Sequence, residues 1–274
     1  MMSRAQVAAA AVALAVSATT AVLITANADQ PTPNTDVRVE STLPPAHAGF
    51  DYQIGGAYEP PAGVEVVSRD HGDEPAPGLY NICYVNAFQA QPGAEAEWGD
   101  LLLRDDAGEV VYDDDWGEAI LDIRTAERRQ GIAAKVGEWI DECADKGFHA
   151  VEPDNYDTFT RFPELLTADQ AQAMIRLLAT HAHDRGLAIG QKNTAELADA
   201  RERNGLDFAV VEECGHYEEC GDFTAAFGDH VIVIEYTDEG LTTACDGWGD
   251  RLSIVRRDVD VSTPDDEGYV YRTC

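Results

Sequence analysis

Val151-Glu152-Pro153-Asp154-Asn155 decides how this chain is read. It ends a short apolar run, residues 150–154, with two carboxylates and an amide. Pro153 lacks an N–H and suits the end of a strand better than its centre. Side chains alternate along a strand, so Glu152 and Asp154 share one face. If the other face packs on helices, the shared face is the interior or mouth of a barrel. A carboxylate there is costly unless it is paired or does chemistry. The bland alternative is an aspartate that caps the next loop.

Seven further runs carry the same signature, at residues 50–55, 64–70, 79–86, 187–193, 208–213, 231–236 and 252–258. Continuous apolar stretches such as Val231-Ile232-Val233-Ile234 fit strands covered on both faces. Helical periodicity fills the later gaps. Ile132, Val136, Trp139, Ile140 and Cys143 form one stripe over residues 125–146. Thr167 and Gln170 have capping-box spacing before a second helix, which Gly186 would stop. Thr194 is expected to cap a short helix through Arg203, with two more helices near 217–227 and 239–248. The fold class is therefore α/β, a (β/α)8 barrel. The gaps after strands one and two are too short for crossover helices, so those helices are shortened or replaced by loops. Residues 87–121 form a long insertion after strand three, placed to build one wall of the cup.

Strand tips of such a barrel converge on one face. The candidates there are Gln53, Asp70, Asn86, Glu152, Asp154, Asn155, Lys192, Asn193, Glu235, Tyr236 and Asp258. After strand six, either Glu212 or Glu213 points to the mouth, and strand phase does not decide which. Strands lie ~4.8 Å apart, so carboxyls from strands four and six reach to within about 5–9 Å, a span covering both glycosidase geometries. Lys192 would pair with a neighbouring carboxylate and hold it ionised, or serve only as a structural ion-pair partner. Trp116, Tyr84 and Tyr156 are candidates for stacking on a sugar. His181 and His183 stand two apart on a helix and do not share a face. No H-E-x-x-H, C-x-x-C, G-x-S-x-G or phosphate loop is present, so no metal or cofactor is expected.

The 274 residues, 45% of them hydrophobic, suit one barrel domain over 49–274. Arg4, an Ala-rich apolar stretch over 5–24 and Ala26-Asn27-Ala28 read as a signal peptide over 1–28. The rival is an uncleaved membrane anchor; Ser17, Thr19 and Thr20 favour cleavage. Residues 29–48 read as a flexible leader, and the mature protein as secreted, with no membrane attachment. Six cysteines in an exported chain point to disulfides. Cys214 and Cys220 are placed to clip a loop, and Cys245 and Cys274 to tie down the tail. Cys83 and Cys143 either form a third bridge or remain free thiols. The formal charge of −32 disfavours nucleic acid and anionic membranes as partners. It fits a cationic polymer, and equally a surface adapted to salt or solubility.

The motifs resemble those of glycoside hydrolase family 114, the endo-α-1,4-polygalactosaminidases. The similarity runs through Phe50-Asp51-Tyr52-Gln53-Ile54, Ile82-Cys83-Tyr84-Val85, Trp116 to Arg124, Val151 to Asn155, Gly186 to Asn193, Phe208 to Cys220, and Glu235-Tyr236. It implies a barrel enzyme that cleaves galactosamine-containing polysaccharide without a cofactor. It places the family's proposed catalytic aspartate on Asp154 and its glutamate on Glu212. Glu118, Asp122, Arg124, Lys192 and Asn193 match further family elements, whereas Val211, Gln191 and the shortened early helices depart from its pattern. The alternatives are a carbohydrate-binding barrel without activity and a glycosidase for another polymer.

Overall fold

A computed structural model describes residues 41–274. The expected signal peptide and residues 29–40 of the leader lie outside the described residues. Eight parallel strands follow one another around a ring: β1 (Phe50–Gln53), β2 (Val66–Asp70), β3 (Tyr80–Asn86), β4 (Ala150–Asp154), β5 (Ala188–Lys192), β6 (Phe208–Glu212), β7 (Val231–Glu235) and β8 (Ser253–Arg257). Each expected run contains one of them, trimmed by a residue or two at most ends.

The ring is nearly closed. β1 lies against β8, but no backbone ladder joins them. A ninth strand, β9 (Tyr271–Thr273), pairs antiparallel with the edge of β8 that β7 leaves free. The seam is held by side chains instead. Arg257 Nη1 and Asp51 Oδ1 form an ion pair at 3.2 Å, both fully buried. Tyr58 Oη and Gln53 Nε2 also donate to the Asp51 carboxylate, at 3.1 and 2.8 Å. Tyr271 Oη donates to Phe50 O at 3.4 Å across the same gap.

No helix stands between β1 and β2 or between β2 and β3, as the short gaps require. The long helices are α1 (Ala126–Lys146) and α2 (Ala168–Asp184), which pack on each other. Thr125 accepts from Arg128 N to open α1, and Gly147, left-handed at φ 92°, ends it. Thr167 and Gln170 form the expected reciprocal capping box. Two smaller helices are α3 (Cys220–Phe227) and α4 (Asp238–Trp248), and single α-helical turns stand at Glu95–Trp98, Thr158–Arg161 and Arg201–Asn204. One expectation fails at Thr194. Its backbone is left-handed at φ 61° and its side chain caps nothing but donates to Asn193 O at 2.6 Å; the helical stretch itself is present, as a 3-10 helix over Ala195–Ala200 that runs into an α-helical turn over Arg201–Asn204. The insertion after β3 folds into a three-stranded antiparallel sheet of Gln89–Ala90, Glu118–Ile120 and Tyr112–Asp113.

The barrel interior is filled by Phe50, Tyr52, Val66, Ile82, Phe208, Val210, Ile232, Ile234 and Val255, all buried. A second apolar shell joins the strands to the helices. Each such side chain contributes about 1.5–3 kcal/mol on burial. The interior column ends, toward the C-terminal strand tips, in a polar layer made by Tyr52, Ser68, Glu152 and Lys192. At the opposite end, residues of the expected leader touch the barrel: Ala48 N donates to Ser253 Oγ at 3.0 Å, and Pro44 O meets His230 Nδ1 at 3.0 Å.

Candidate active site

Lys192 ends β5 and rises through the polar layer with its side chain 1% exposed. Its ammonium lies 3.0 Å from Glu152 Oε1, 3.3 Å from Asp154 Oδ1 and 3.4 Å from Glu212 Oε2. It also meets Tyr52 Oη at 3.0 Å and sits over the Tyr52 and Tyr84 rings. Burial opposes the charge, but Asp154, Glu212 and Glu152 outweigh it and hold the ammonium well above its usual range.

The three carboxylates differ in surroundings. Glu152 is fully buried; it accepts from Tyr52 Oη (3.0 Å) and Ser68 Oγ (2.7 Å) as well as from Lys192. Burial pushes its carboxyl up, against the pull of Lys192. Asp154 accepts from Tyr84 Oη and Asn155 N, both at 2.7 Å. Burial works to raise it as well, but Lys192, Tyr84 and the Asn155 backbone together hold it below the ordinary aspartate range. Glu212 accepts from Asn193 Nδ2 at 3.1 Å and from Tyr236 Oη, while its backbone N–H donates to Asn193 Oδ1 at 2.9 Å. The Asp154 and Glu212 side chains are 17% and 25% exposed and open into one cleft of about 950 Å³.

The backbone around this cup is bent. Asn155, Asn193, Thr194, Glu213 and Val261 all adopt left-handed conformations and all line the cleft. Such angles are costly for non-glycine residues, the β-branched Thr194 and Val261 most of all, and they gather where chemistry or binding fixes the geometry.

Of the residues expected at the tips, Asp70, Tyr84, Trp116, Asp154, Asn155, Asn193, Glu212 and Tyr236 line the cleft. Glu152 and Lys192 lie beneath its floor. Gln53 and Glu235 do not reach it, because strand alternation turns them outward. Gln53 accepts from Arg69 Nε at 2.9 Å near the β1–β8 seam, and Glu235 accepts from Gly215 N at 2.7 Å under the loop after β6. Tyr156 is fully buried against Phe88, and Asp258 bonds Ser262 and Val270, so neither faces the cleft. Glu213 does line it beside Glu212, because its left-handed backbone breaks the alternation that would have turned it away. Asp122 binds Arg124 and Arg128 away from the cleft.

Several residues were missed. Tyr52, the hydroxyl that links Glu152 to Lys192, was signalled only by its phase with Phe50 in β1. Asp157 and Arg161 stand on the turn after β4, where Arg161 bonds Asp157 (3.0 Å) and Asn155 Oδ1 (2.9 Å). Tyr217 lines the cleft from the loop after β6. The insertion supplies a wall, as expected, through Gln91, Trp116 and Glu118. Glu118 accepts from Asn86 Nδ2 at 2.9 Å, and burial raises its carboxyl. Arg161 is the single cation among the cleft-lining residues, against nine carboxylates.

The disulfides are Cys83–Cys143, Cys214–Cys220 and Cys245–Cys274. The first joins β3 to α1 and removes the free-thiol alternative. Among the described residues no helix is long and apolar enough to cross a membrane.

Paired carboxylates at the C-terminal mouth of a parallel barrel are the arrangement of a barrel hydrolase. Residues 30–274 match the model of glycoside-hydrolase family GH114, and the chain belongs to that family of glycoside hydrolases. Among curated proteins no sequence match is found. Solved structures share its fold, among them the following two. The crystal structure of Aspergillus fumigatus Ega3 in complex with galactosamine has a TM-score of 0.69 at 23% identity, covering 85% of this chain and 98% of that one. The glycoside hydrolase domain of PelA from Pseudomonas aeruginosa has a TM-score of 0.56 at 15% identity, covering 82% and 98%.

Proposed function

We propose that this glycoside hydrolase is exported and cleaves a polysaccharide containing α-1,4-linked galactosamine by double displacement. The observation that carries the reading is the sharing of one ammonium by Asp154 and Glu212. Their nearest oxygens lie 3.3 and 3.4 Å from Lys192 Nζ, and the sum of those contacts bounds the separation of the two oxygens. A pair of oxygens drawn together in this way is compatible with the ~5–5.5 Å carboxyl spacing of retaining enzymes, which supports the double displacement.

Asp154, kept ionised by Lys192, Tyr84 and Asn155 N, attacks the anomeric carbon. Glu212, aimed by Asn193 and Tyr236, gives its proton to the departing glycosidic oxygen. The products are a glycosyl ester on Asp154 and a shortened polymer. Glu212, now a carboxylate, takes a proton from water, whose oxygen attacks the same carbon and frees Asp154. The nine carboxylates facing the cleft favour a sugar that carries protonated amines. The galactosamine in the Ega3 crystal supports that substrate class. Three disulfides and the N-terminal signal pattern support an oxidising, extracellular setting.

The test is to incubate the purified protein with partly deacetylated galactosaminogalactan and a panel of other polysaccharides, then size the products. Oligomers should accumulate from the galactosamine polymer and less readily from its N-acetylated form. Asp154→Asn and Glu212→Gln should each abolish release while circular dichroism stays unchanged. An intact polymer, or near-normal turnover by either variant, would sink the reading. NMR of the first products reports the anomer, and inverted ends would replace the double displacement with a single one.

A further inference from the structure

Five large hydrophobic side chains are exposed among the described residues, and three of them, Trp116 (55%), Tyr217 (64%) and Val259 (56%), line the cleft. Apolar surface gathered in one concavity marks a binding surface, whereas scattered exposure would carry no meaning.

Tyr217, the most exposed of them, is held by several independent devices. Its loop leaves β6 directly after Glu212 and is closed by Cys214–Cys220. Glu213 and Glu218 both turn left-handed, at φ 59° and 60°. Tyr217 N donates to Glu213 O, and Glu219 N to Cys214 O, each at 2.9 Å. From beneath, the buried Glu235 Oε1 accepts from Gly215 N at 2.7 Å. Only glycine fits against this carboxylate. A Cβ on Gly215 would lie 2.8 Å from Glu235 Oε1, and one on Gly240 2.1 Å from Oε2. The His216 ring meets the Tyr217 ring edge-on at 4.8 Å. A mobile surface loop needs none of this. The covalent clip, the left-handed turns and the buried carboxylate together fix the backbone that presents one phenol ring at the mouth of the cleft.

We propose that Tyr217 is a stacking platform for a sugar unit adjacent to the one held between Asp154 and Glu212, with the Cys214–Cys220 loop and Glu235 fixing its position. The inference rests on the glycosidase reading of that centre. A pyranose presents a face of C–H groups that matches an aromatic ring, and a protonated amine on the sugar is drawn to the ring's negative face. A ring on a backbone already fixed has only its own two torsions to order when the polymer arrives. Trp116, on the insertion after β3, offers a second ring from another wall of the same cleft.

Binding is measured by affinity electrophoresis on inactive Asp154→Asn protein, with the polysaccharide panel in the gel, and by calorimetry with galactosamine oligomers of increasing length. Adding Tyr217→Ala should weaken polymer and oligomer binding roughly 3- to 10-fold. Tyr217→Phe and Tyr217→Trp should restore it, and galactosamine as a single unit should bind all four proteins equally. Equal polymer affinity with Tyr217→Ala overturns the platform alone. Equal weakening for the monosaccharide overturns its placement beside the central unit. A polymer that binds but is never cut by the wild type overturns the proposed reaction and leaves the platform to be judged on its own variants. Failure of the Asp154→Asn protein to bind any member of the panel overturns both.

Discussion

Lys192 Nζ lies 3.0 Å from Glu152 Oε1, and both side chains are sealed from solvent beneath the cleft floor. This pair comes from adjacent strands and is the support on which Asp154 and Glu212 rest. Glu152 fixes the ammonium from below, so that it meets both upper carboxylates at nearly the same distance.

Replacing Lys192 by Met keeps the volume and removes the charge. Asp154 then loses the cation that holds it ionised. The acid limb of the pH–rate profile should move up by roughly 1–3 pH units, the shift an opposite charge produces at contact distance. Glu152→Gln should move that limb the other way, because it removes a negative charge that competes for Lys192. Shifts of the same sign in both variants would show that Lys192 does not set the ionisation of Asp154.

The seam between β1 and β8 depends on Arg257 and Asp51. Removing one partner of a fully buried pair strands the other charge and costs about 3–5 kcal/mol. Arg257→Leu should therefore lower the urea midpoint substantially. The double variant Arg257→Leu/Asp51→Leu should recover part of that loss, since no isolated charge remains.

The bridges should differ in what they stabilise. Cys83–Cys143 spans a sequence separation of 60 and Cys214–Cys220 one of 6. By loop-closure entropy, removing the first costs roughly 4 kcal/mol and the second roughly 2 kcal/mol. Paired Cys→Ala variants compared by chemical denaturation check this order. The Cys214/Cys220 variant should lose more affinity for polymer than the Cys83/Cys143 variant does.

Asp258 provides a test of pH-dependent stability. Burial opposes its charge, but Ser262 N, Ser262 Oγ and Val270 N bond the carboxylate and hold its pKa below the ordinary value. A depressed folded pKa gives stability that is present above the unfolded value, about 3.9, and is lost as pH falls through the folded one. Asp258→Asn should thus be less stable than wild type at neutral pH, and the gap should narrow below about pH 4. A gap that widens on acidification would reverse the assignment.

Much of this was legible from local pattern. The eight runs became eight barrel strands, and Thr167 with Gln170 capped the helix they announced. Both depend on neighbours in sequence, through alternation and hydrogen bonds to the next turn. The two short gaps ruled out helices because a crossover needs a minimum length of chain. Two of the errors share a cause. Gln53 and Glu235 were placed in the cup by nearness to a strand end, whereas the pleat sent them outward. Glu213 entered the cup only because its backbone turned left-handed, which no propensity announces for glutamate.

By itself the sequence determined the order of strands and helices, the missing early helices and the strand ends that carry acids, because periodicity and chain length are one-dimensional properties. Only the tertiary structure decided that Tyr52, Ser68 and Glu152 from three strands would seat Lys192 from a fourth, that Arg257 would meet Asp51 across the seam, and that Tyr217 would stand at the mouth. Those relations depend on the closure and register of the barrel, which bring together residues 40 to 206 positions apart in the chain through contacts that local pattern does not encode.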